Sequence, residues 1–424
     1  MSRFVGCLAL LATFGCAPSV PQPVPGYKAF VGATLIDGTG AEPVTNAVVV
    51  ARDGRIEAVG SVAAVEIPAL AEVIDLAGRT MIPGLINAHG HVGDTLGLES
   101  GHYSEANVRA HLALYASYGV TTVVSLGGDG AEGARVRDAE DGDLRHARLR
   151  IAGAVVTASS PDEARSQVRA NAELGADFIK IRVDDNLGAS TKMSPEIYAA
   201  VIEAAHANNL PLAAHLFYLD DAKGLLRAGA DFIAHSVRDA AVDAELIELL
   251  RETGVCYSPT LTREVSTFVY ESEPDFFTDP FFLAQADSSV LDALRTPEQQ
   301  QRYRDSPTAP RYKEALRMAQ ANLKALADAG VAIAFGTDSG PPARFQGYFE
   351  HMETELMAAA GLSPQQILRS ATGVAAACVG LDEVGTIEPG KWADLVVLTA
   401  DPLRDIANLR TIDSVWIAAN RVAS

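Results

Sequence analysis

The apolar positions of this chain change rhythm twice along its length. Near the start, Ala47-Val48-Val49-Val50-Ala51-Arg52 and Arg55-Ile56-Glu57-Ala58-Val59 flank Asp53-Gly54. An Asp-Gly pair between β-rich runs is a strong hairpin signal, because both turn positions need the left-handed backbone that these residues tolerate. Near the end, Asp394-Leu395-Val396-Val397-Leu398 and Ser414-Val415-Trp416-Ile417-Ala418 are again short and β-rich. The two ends are expected to combine into one small β-sandwich made of residues 27–81 and 384–424.

Between residues 82 and 383 the rhythm alternates between strand-like apolar runs and helical patterns. The candidate strands are Leu85 to His89, Thr121 to Ser125, Leu149 to Ala154, Phe178 to Val183, Leu212 to His215, Phe232 to His235, Val255 to Ser258 and Val331 to Gly336. Helical stretches close on Gly119, Gly175, Gly229, Gly254 and Gly330, where a left-handed residue ends a helix. Repeated β/α units of this number predict an α/β fold, a (β/α)8 TIM barrel. An open doubly wound sheet fits less well, since no glycine-rich dinucleotide loop is found. The connection from about Leu261 to Arg311 is long and carries Phe268, Tyr270, Phe276, Phe277, Phe281 and Phe282. It could wall a substrate pocket or act as a lid, or its aromatics could simply pack the loop or a subunit contact.

The first residues follow neither rhythm. Arg3, an apolar run from Phe4 to Phe14 and the pair Gly15-Cys16 precede a Pro-rich stretch. The run is shorter than the roughly 20 residues of a spanning helix, so 1–16 is read as a signal peptide and 17–26 as a linker. Gly15-Cys16 resembles the end of a bacterial lipobox, though Thr13 and Phe14 depart from it. A lipid anchor through Cys16 in the periplasm or cell envelope, ordinary cleavage after export, and a cytosolic protein with an apolar start all stay open. Cys256 and Cys378 fall on elements expected to be buried; two free thiols are expected, with one bridge as the alternative.

Charge narrows the partners. With 54 Asp+Glu against 34 Lys+Arg the formal net charge is -20, which repels a phosphate backbone, so nucleic acid is not expected. A small-molecule substrate is, and a homo-oligomer remains open.

The candidate chemistry sits at strand ends. His89 and His91 are two apart, so period-two alternation turns both imidazoles to one face. His215 and His235 end the next two relevant strands. Lys180 lies inside the apolar run Phe178 to Val183, where a buried ammonium must be neutralised; conversion to a CO2-derived carbamate would turn it into an anionic metal ligand. Asp338 in Gly336-Thr337-Asp338-Ser339-Gly340 adds a carboxylate after the last strand. For substrate contacts the candidates are Arg182, which shares the parity of Lys180 but could instead neutralise Asp184 or Asp185, together with Tyr218, Tyr257 and Arg344. Wall packing competes for both tyrosines.

Pro83-Gly84-Leu85-Ile86-Asn87-Ala88-His89-Gly90-His91, Lys180, His215, His235 and Gly336-Thr337-Asp338 resemble the binuclear set of the amidohydrolase superfamily. Glu388-Pro389-Gly390-Lys391-Trp392-Ala393-Asp394-Leu395-Val396-Val397-Leu398 is similar to the closing β-segment of its imidazolonepropionase-like and prolidase-like branch. The resemblance implies that His89, His91 and Asp338 hold one divalent ion and His215 and His235 a second, with carboxylated Lys180 and a hydroxide bridging them. Zinc is the metal expected; manganese, iron and cobalt fit the same donors. Asp338 would move the proton, and the bond cleaved would be an amide or peptide-like C–N bond of a small molecule. Ester, lactone or phosphotriester hydrolysis, and a non-catalytic envelope scaffold, are the alternatives. Val183-Asp184-Asp185-Asn186 stands where many prolidase-like relatives carry a Gly-rich stretch, so their dipeptide preference does not transfer directly.

Overall fold

The computed structural model describes residues 26–140 and 144–423. The expected leader, Cys16 and all of the linker except Gly26 lie outside the described residues.

Both chain ends join one sheet. Its strands are β1 (Tyr27–Leu35), β2 (Val44–Arg52), β3 (Arg55–Ser61), β4 (Glu72–Asp75), β5 (Thr80–Pro83), and, after a long interval, β13 (Leu395–Leu398), β14 (Ile412–Ile417) and β15 (Asn420–Ala423). The order is β15-β14-β13-β5-β1-β2-β3, with β4 alongside β1. The β2–β3 hairpin turns at Asp53 and Gly54 with φ of 49° and 83°, the left-handed pair that the sequence calls for. Phe30 of β1 and Trp416 of β14 meet edge to face with ring centroids 5.0 Å apart, although β13 and β5 lie between their strands. Across a flat sheet that separation would be about 14 Å, so the sheet curls over on itself. It encloses Phe30, Val49, Met81, Leu395, Val397 and Trp416, and the Ala393 N–H donates to Gly54 O at 2.8 Å where its far sides meet.

The middle of the chain supplies parallel strands. One sheet contains β6 (Leu85–Gly90), β7 (Val120–Ser125) and β8 (Arg148–Ile151); a second contains β9 (Ile179–Arg182), β10 (Leu212–His215), β11 (Phe232–Ala234) and β12 (Cys256–Ser258). Backbone bonds link them: Asp177 N–H to Ile151 O at 2.7 Å and Val156 N–H to Lys180 O at 2.8 Å. Segment 331–336, expected as a strand, is extended but carries a single bridge, Tyr257 with Ile333, instead of a ladder. Its amides are divided between partners. Ala334 N–H donates to Tyr257 O at 2.9 Å and Phe335 N–H to Ser370 O at 3.1 Å, so consecutive pairing with one neighbour does not develop. Ala88 N–H then donates to Phe335 O at 2.9 Å, bringing the contacts back to β6. The strands are walled by buried aliphatic residues such as Val123, Leu149, Ile181, Leu212 and Ile233.

The cysteine expectation is corrected. Cys256 on β12 and Cys378, at the end of the helix Gly373–Cys378, form a disulfide across 122 residues of sequence. Strand and helix are adjacent only because both pack below the apolar floor that includes Phe232 and Ala334.

The long connection is not a bare loop but a series of short helices, among them Leu261–Val265, Ser288–Arg295 and Pro297–Arg304. Tyr270, Phe276, Phe277 and Phe282 are buried with Tyr348 and Phe349 of the helix Tyr348–Ala359. Most of its aromatics therefore serve packing. Phe268 is the exception, sitting beside Phe217, Tyr218 and Tyr312.

Candidate metal centre

His89, His91, His215 and His235 lie at or just beyond the carboxyl-terminal ends of β6, β10 and β11, Lys180 lies within β9, and Asp338 follows the segment 331–336. His89 and His91 leave β6 side by side, ring centroids 5.8 Å apart. His89 and His235 lie 4.6 Å apart, and His215 and His235 4.2 Å. Lys180 Nζ donates to His89 Nε2 at 3.0 Å. Asp338 is held over His89 by its own amide, which donates to His89 O at 2.6 Å. All six side chains thus form one cluster.

Backbone geometry shows how tightly the place is shaped. His235 and Asp338 adopt φ of 75° and 58°, a region costly for residues with a Cβ and retained where surrounding packing dictates it. Gly340 has φ of 114°, and a Cβ there would lie 2.4 Å from His91 O. Only glycine lets that loop close over the site.

The ring nitrogens are oriented by neighbours. His91 Nδ1 donates to Gly127 O at 3.0 Å, which leaves Nε2 facing Asp338 Oδ1 at 2.9 Å. Two lone pairs opposed at that distance require a cation between them, a proton or a metal. His215 Nε2 donates to Asp184 Oδ2, and His235 Nδ1 bonds Thr260 Oγ1 at 2.7 Å. Such outer partners fix which nitrogen remains for a metal. His89 Nδ1 is buried without a partner among the described residues.

Electrostatics suit cation binding. Burial lowers His89 and His235 well below the ordinary range and His215 to about 3, so the imidazoles are neutral, the ligating form. Burial also lowers Lys180 to about 7, partly opposed by Asp338. No carboxylate pairs with Lys180 among the described residues, and a neutral amine is the form to which CO2 adds. Burial pushes Asp338 upward, but the Arg344 guanidinium beside it more than offsets this and holds the carboxyl well below the usual carboxylate range. The donor set fits divalent cations.

The substrate candidates divide. Arg344 Nη1 donates to Asp338 Oδ2 at 2.6 Å, placing it at the site. Arg182 is spent on Asp184, with Nη2 to Oδ1 at 3.1 Å, and on Asn186. Tyr218 donates to Asp185 Oδ1 at 2.7 Å, at the rim. Tyr257 is fully buried in the wall, where its hydroxyl oxygen accepts the Val237 N–H at 2.6 Å; it does not reach the open mouth.

Several supporting residues escaped sequence reasoning. Glu350 Oε1 accepts from Asn87 Nδ2, Thr337 Oγ1 and Ser339 Oγ, each at 2.6 Å, tying the β6 end to the Asp338 segment from beneath. Arg238, Arg263 and Glu264 form a buried ion cluster on the other side. Only Asp184 had a signal, its parity with Arg182 at a strand end.

The sequence profile of the Amidohydrolase family matches residues 80–422, and this chain belongs to that family. Among curated proteins it is similar to the imidazolonepropionase of Streptomyces avermitilis, 24% identical over 92% of this chain and 91% of that one. The imidazolonepropionase of Cutibacterium acnes is 26% identical over 84% and 85%. Among solved structures, a candidate prolidase from Bifidobacterium longum aligns with a TM-score of 0.76 and 28% identity over 94% of this chain and 95% of its own. A Xaa-Pro dipeptidase aligns with a TM-score of 0.76 at 23% identity over 93% and 99%, which speaks to the fold alone. The chain is thus a hydrolase of carbon–nitrogen bonds in the imidazolonepropionase-like and prolidase-like branch.

Proposed function

We propose that this chain is an exported two-metal hydrolase that cleaves an amide or peptide-like C–N bond in a dipeptide, acyl amino acid or cyclic amide. Its catalytic body would be a closed (β/α)8 barrel over residues 82–383, flanked by a small β-sandwich from 27–81 and 384–424. The observation that carries this reading is the convergence of four imidazoles, a buried lysine and a carboxylate at the ends of parallel strands.

His89, His91 and Asp338 would hold one divalent ion and His215 and His235 the other, and Lys180, as a carbamate, would add an anionic oxygen ligand. Two such ions, zinc in the first instance, lower the pKa of a water and polarise a carbonyl when bound. Asp338, ionised and paired with Arg344, accepts the proton of the attacking water and returns it to the leaving nitrogen, which would otherwise depart as a high-energy anion. Asp184 and Thr260 keep His215 and His235 in register. The disulfide supports export, since such bonds persist in oxidising compartments, and it fits the expected leader; the names of imidazolonepropionase and of the candidate prolidase support a small C–N substrate.

The test is the full chain purified with zinc and bicarbonate, assayed for metal content and against dipeptides, acyl amino acids, cyclic amides and matched esters. Two ions per chain and amide turnover are expected. Turnover of esters alone would overturn the amide assignment.

A further inference from the structure

Thr260 begins the helix Leu261–Val265 without capping it. It occupies the N-cap position in a left-handed conformation, φ 46° and ψ 50°, and its side chain bonds no amide of that helix. A β-branched residue meets that backbone region at a steric cost, and a threonine at an N-cap ordinarily spends its hydroxyl on the first-turn amides. Here the hydroxyl goes to His235 Nδ1, at 2.7 Å. The amides it leaves behind need another acceptor.

Glu353, from the helix Tyr348–Ala359, supplies it. Its Oε1 accepts the Leu261 N–H at 2.8 Å, and its Oε2 accepts the Thr262 N–H at 2.7 Å and the Thr262 hydroxyl at 2.8 Å. Glu353 is fully buried, and burial pushes its carboxyl up to about 7 against the pull of these donors. Keeping such a group in the interior is costly unless its bonds are needed. Glu350, one turn earlier on the same helix, takes Asn87, Thr337 and Ser339 instead. The two carboxylates therefore serve different segments: Glu350 the ends that carry His89 and Asp338, Glu353 the turn that carries Thr260. Their networks touch where Thr262 Oγ1 lies 3.0 Å from Thr337 O.

Resting on the two-metal reading above, we propose that Glu353 is a positioning residue for the second ion: by capping the helix from outside, it frees the Thr260 hydroxyl to hold His235. With Nδ1 donating to Thr260 Oγ1, the His235 ring keeps its Nε2 lone pair for a metal. Without Glu353 the hydroxyl would turn back to the orphaned amides of its own helix. The ring would then lose its tether.

The test follows zinc binding to the metal-free full chain, supplied with bicarbonate, by calorimetry; the binding step abolished by His215→Asn marks the second ion. Glu353→Gln should weaken that step about 10-fold and move the first by less than about twofold, and Glu350→Gln should do the reverse. Thr260→Val should weaken the second step about 10- to 100-fold, and adding Glu353→Gln to it should cost nothing further, because both act along one path. A residue that merely stabilised the fold would add its own loss. Circular dichroism checks folding, and if Glu353→Gln does not fold, Glu353→Asp draws the carboxylate back by one carbon. That variant should weaken the second step about 2- to 10-fold, the worth of one hydrogen bond. An unchanged second step, equal weakening of both steps, or full additivity with Thr260→Val overturns the proposal. The tautomer of His235, read by 15N NMR in the metal-free chain, separates this from the two-metal reading. Nδ1–H is expected in wild type and a mixture in the Glu353 variant, whereas Nε2–H in wild type overturns the proposal. A wild-type chain that takes up a single ion would fault the two-metal reading, and the tautomers would still judge Glu353.

Discussion

The two halves of the metal centre are built differently. On the β6 side, donor atoms of His89, His91 and Asp338 lie within 4.8 Å of one another and include a carboxylate. That half is locked by short backbone bonds between residues 89 and 338 and by Glu350 beneath them. On the β9–β11 side, Lys180, His215 and His235 contribute no anion of their own. They depend on Asp184 and Thr260 for orientation. The first half can attract a cation as it stands, whereas the second would become anionic only if Lys180 were converted to the proposed carbamate. Charge, more than distance, separates them.

The comparison can be broken experimentally, most severely at Asp338. Asp338→Asn keeps the shape of the first half but removes both its charge and its proton carrier, and kcat should fall by about 10²- to 10⁴-fold with the melting temperature little changed. Near wild-type turnover would remove Asp338 from proton transfer. Lys180→Gln should retain one tightly held ion and lose the second, read as metal content falling from two equivalents toward one. In the unmodified protein the amine is neutral only above about pH 7, so activation of metal-free protein by bicarbonate and zinc should weaken as pH falls through that value. Activation that ignores bicarbonate would argue against the carbamate.

Asp184→Asn loosens only the outer support of His215, and about 10- to 100-fold in metal affinity or activity is the expected loss, confined to the second ion. If the first ion is released equally, the halves are not independent. The smallest effect at the site should come from replacing both Cys256 and Cys378 by serine. Stability should drop by about 2–4 kcal/mol in denaturant titration while metal content and KM stay put.

Much of this centre was legible before any fold was seen. The positions of His89, His91, Lys180, His215, His235 and Asp338 at or near strand ends follow from local periodicity, and one shared face for such ends follows from repeated β/α units. The substrate side was far less legible. Tyr257 reads as a mouth residue by position, yet its hydroxyl is taken by Val237 N–H inside the wall, and the ion cluster of Arg238, Arg263 and Glu264 carries no sequence signal because Arg238 meets the other two only after the loops have packed.

What the chain by itself determined is therefore what depends on neighbours a few residues away: strand and helix rhythm, the Asp53-Gly54 turn, and the direction in which the ligands point. What only the tertiary structure decided is which distant elements touch. The curl that brings Phe30 to Trp416, the bridge between Cys256 and Cys378 across 122 residues, and the pairing of His215 with Asp184 belong to that second group. The physical reason is range. Steric and periodic preferences act along the backbone, while burial, charge balance and covalent closure act between surfaces that meet only after the core has packed.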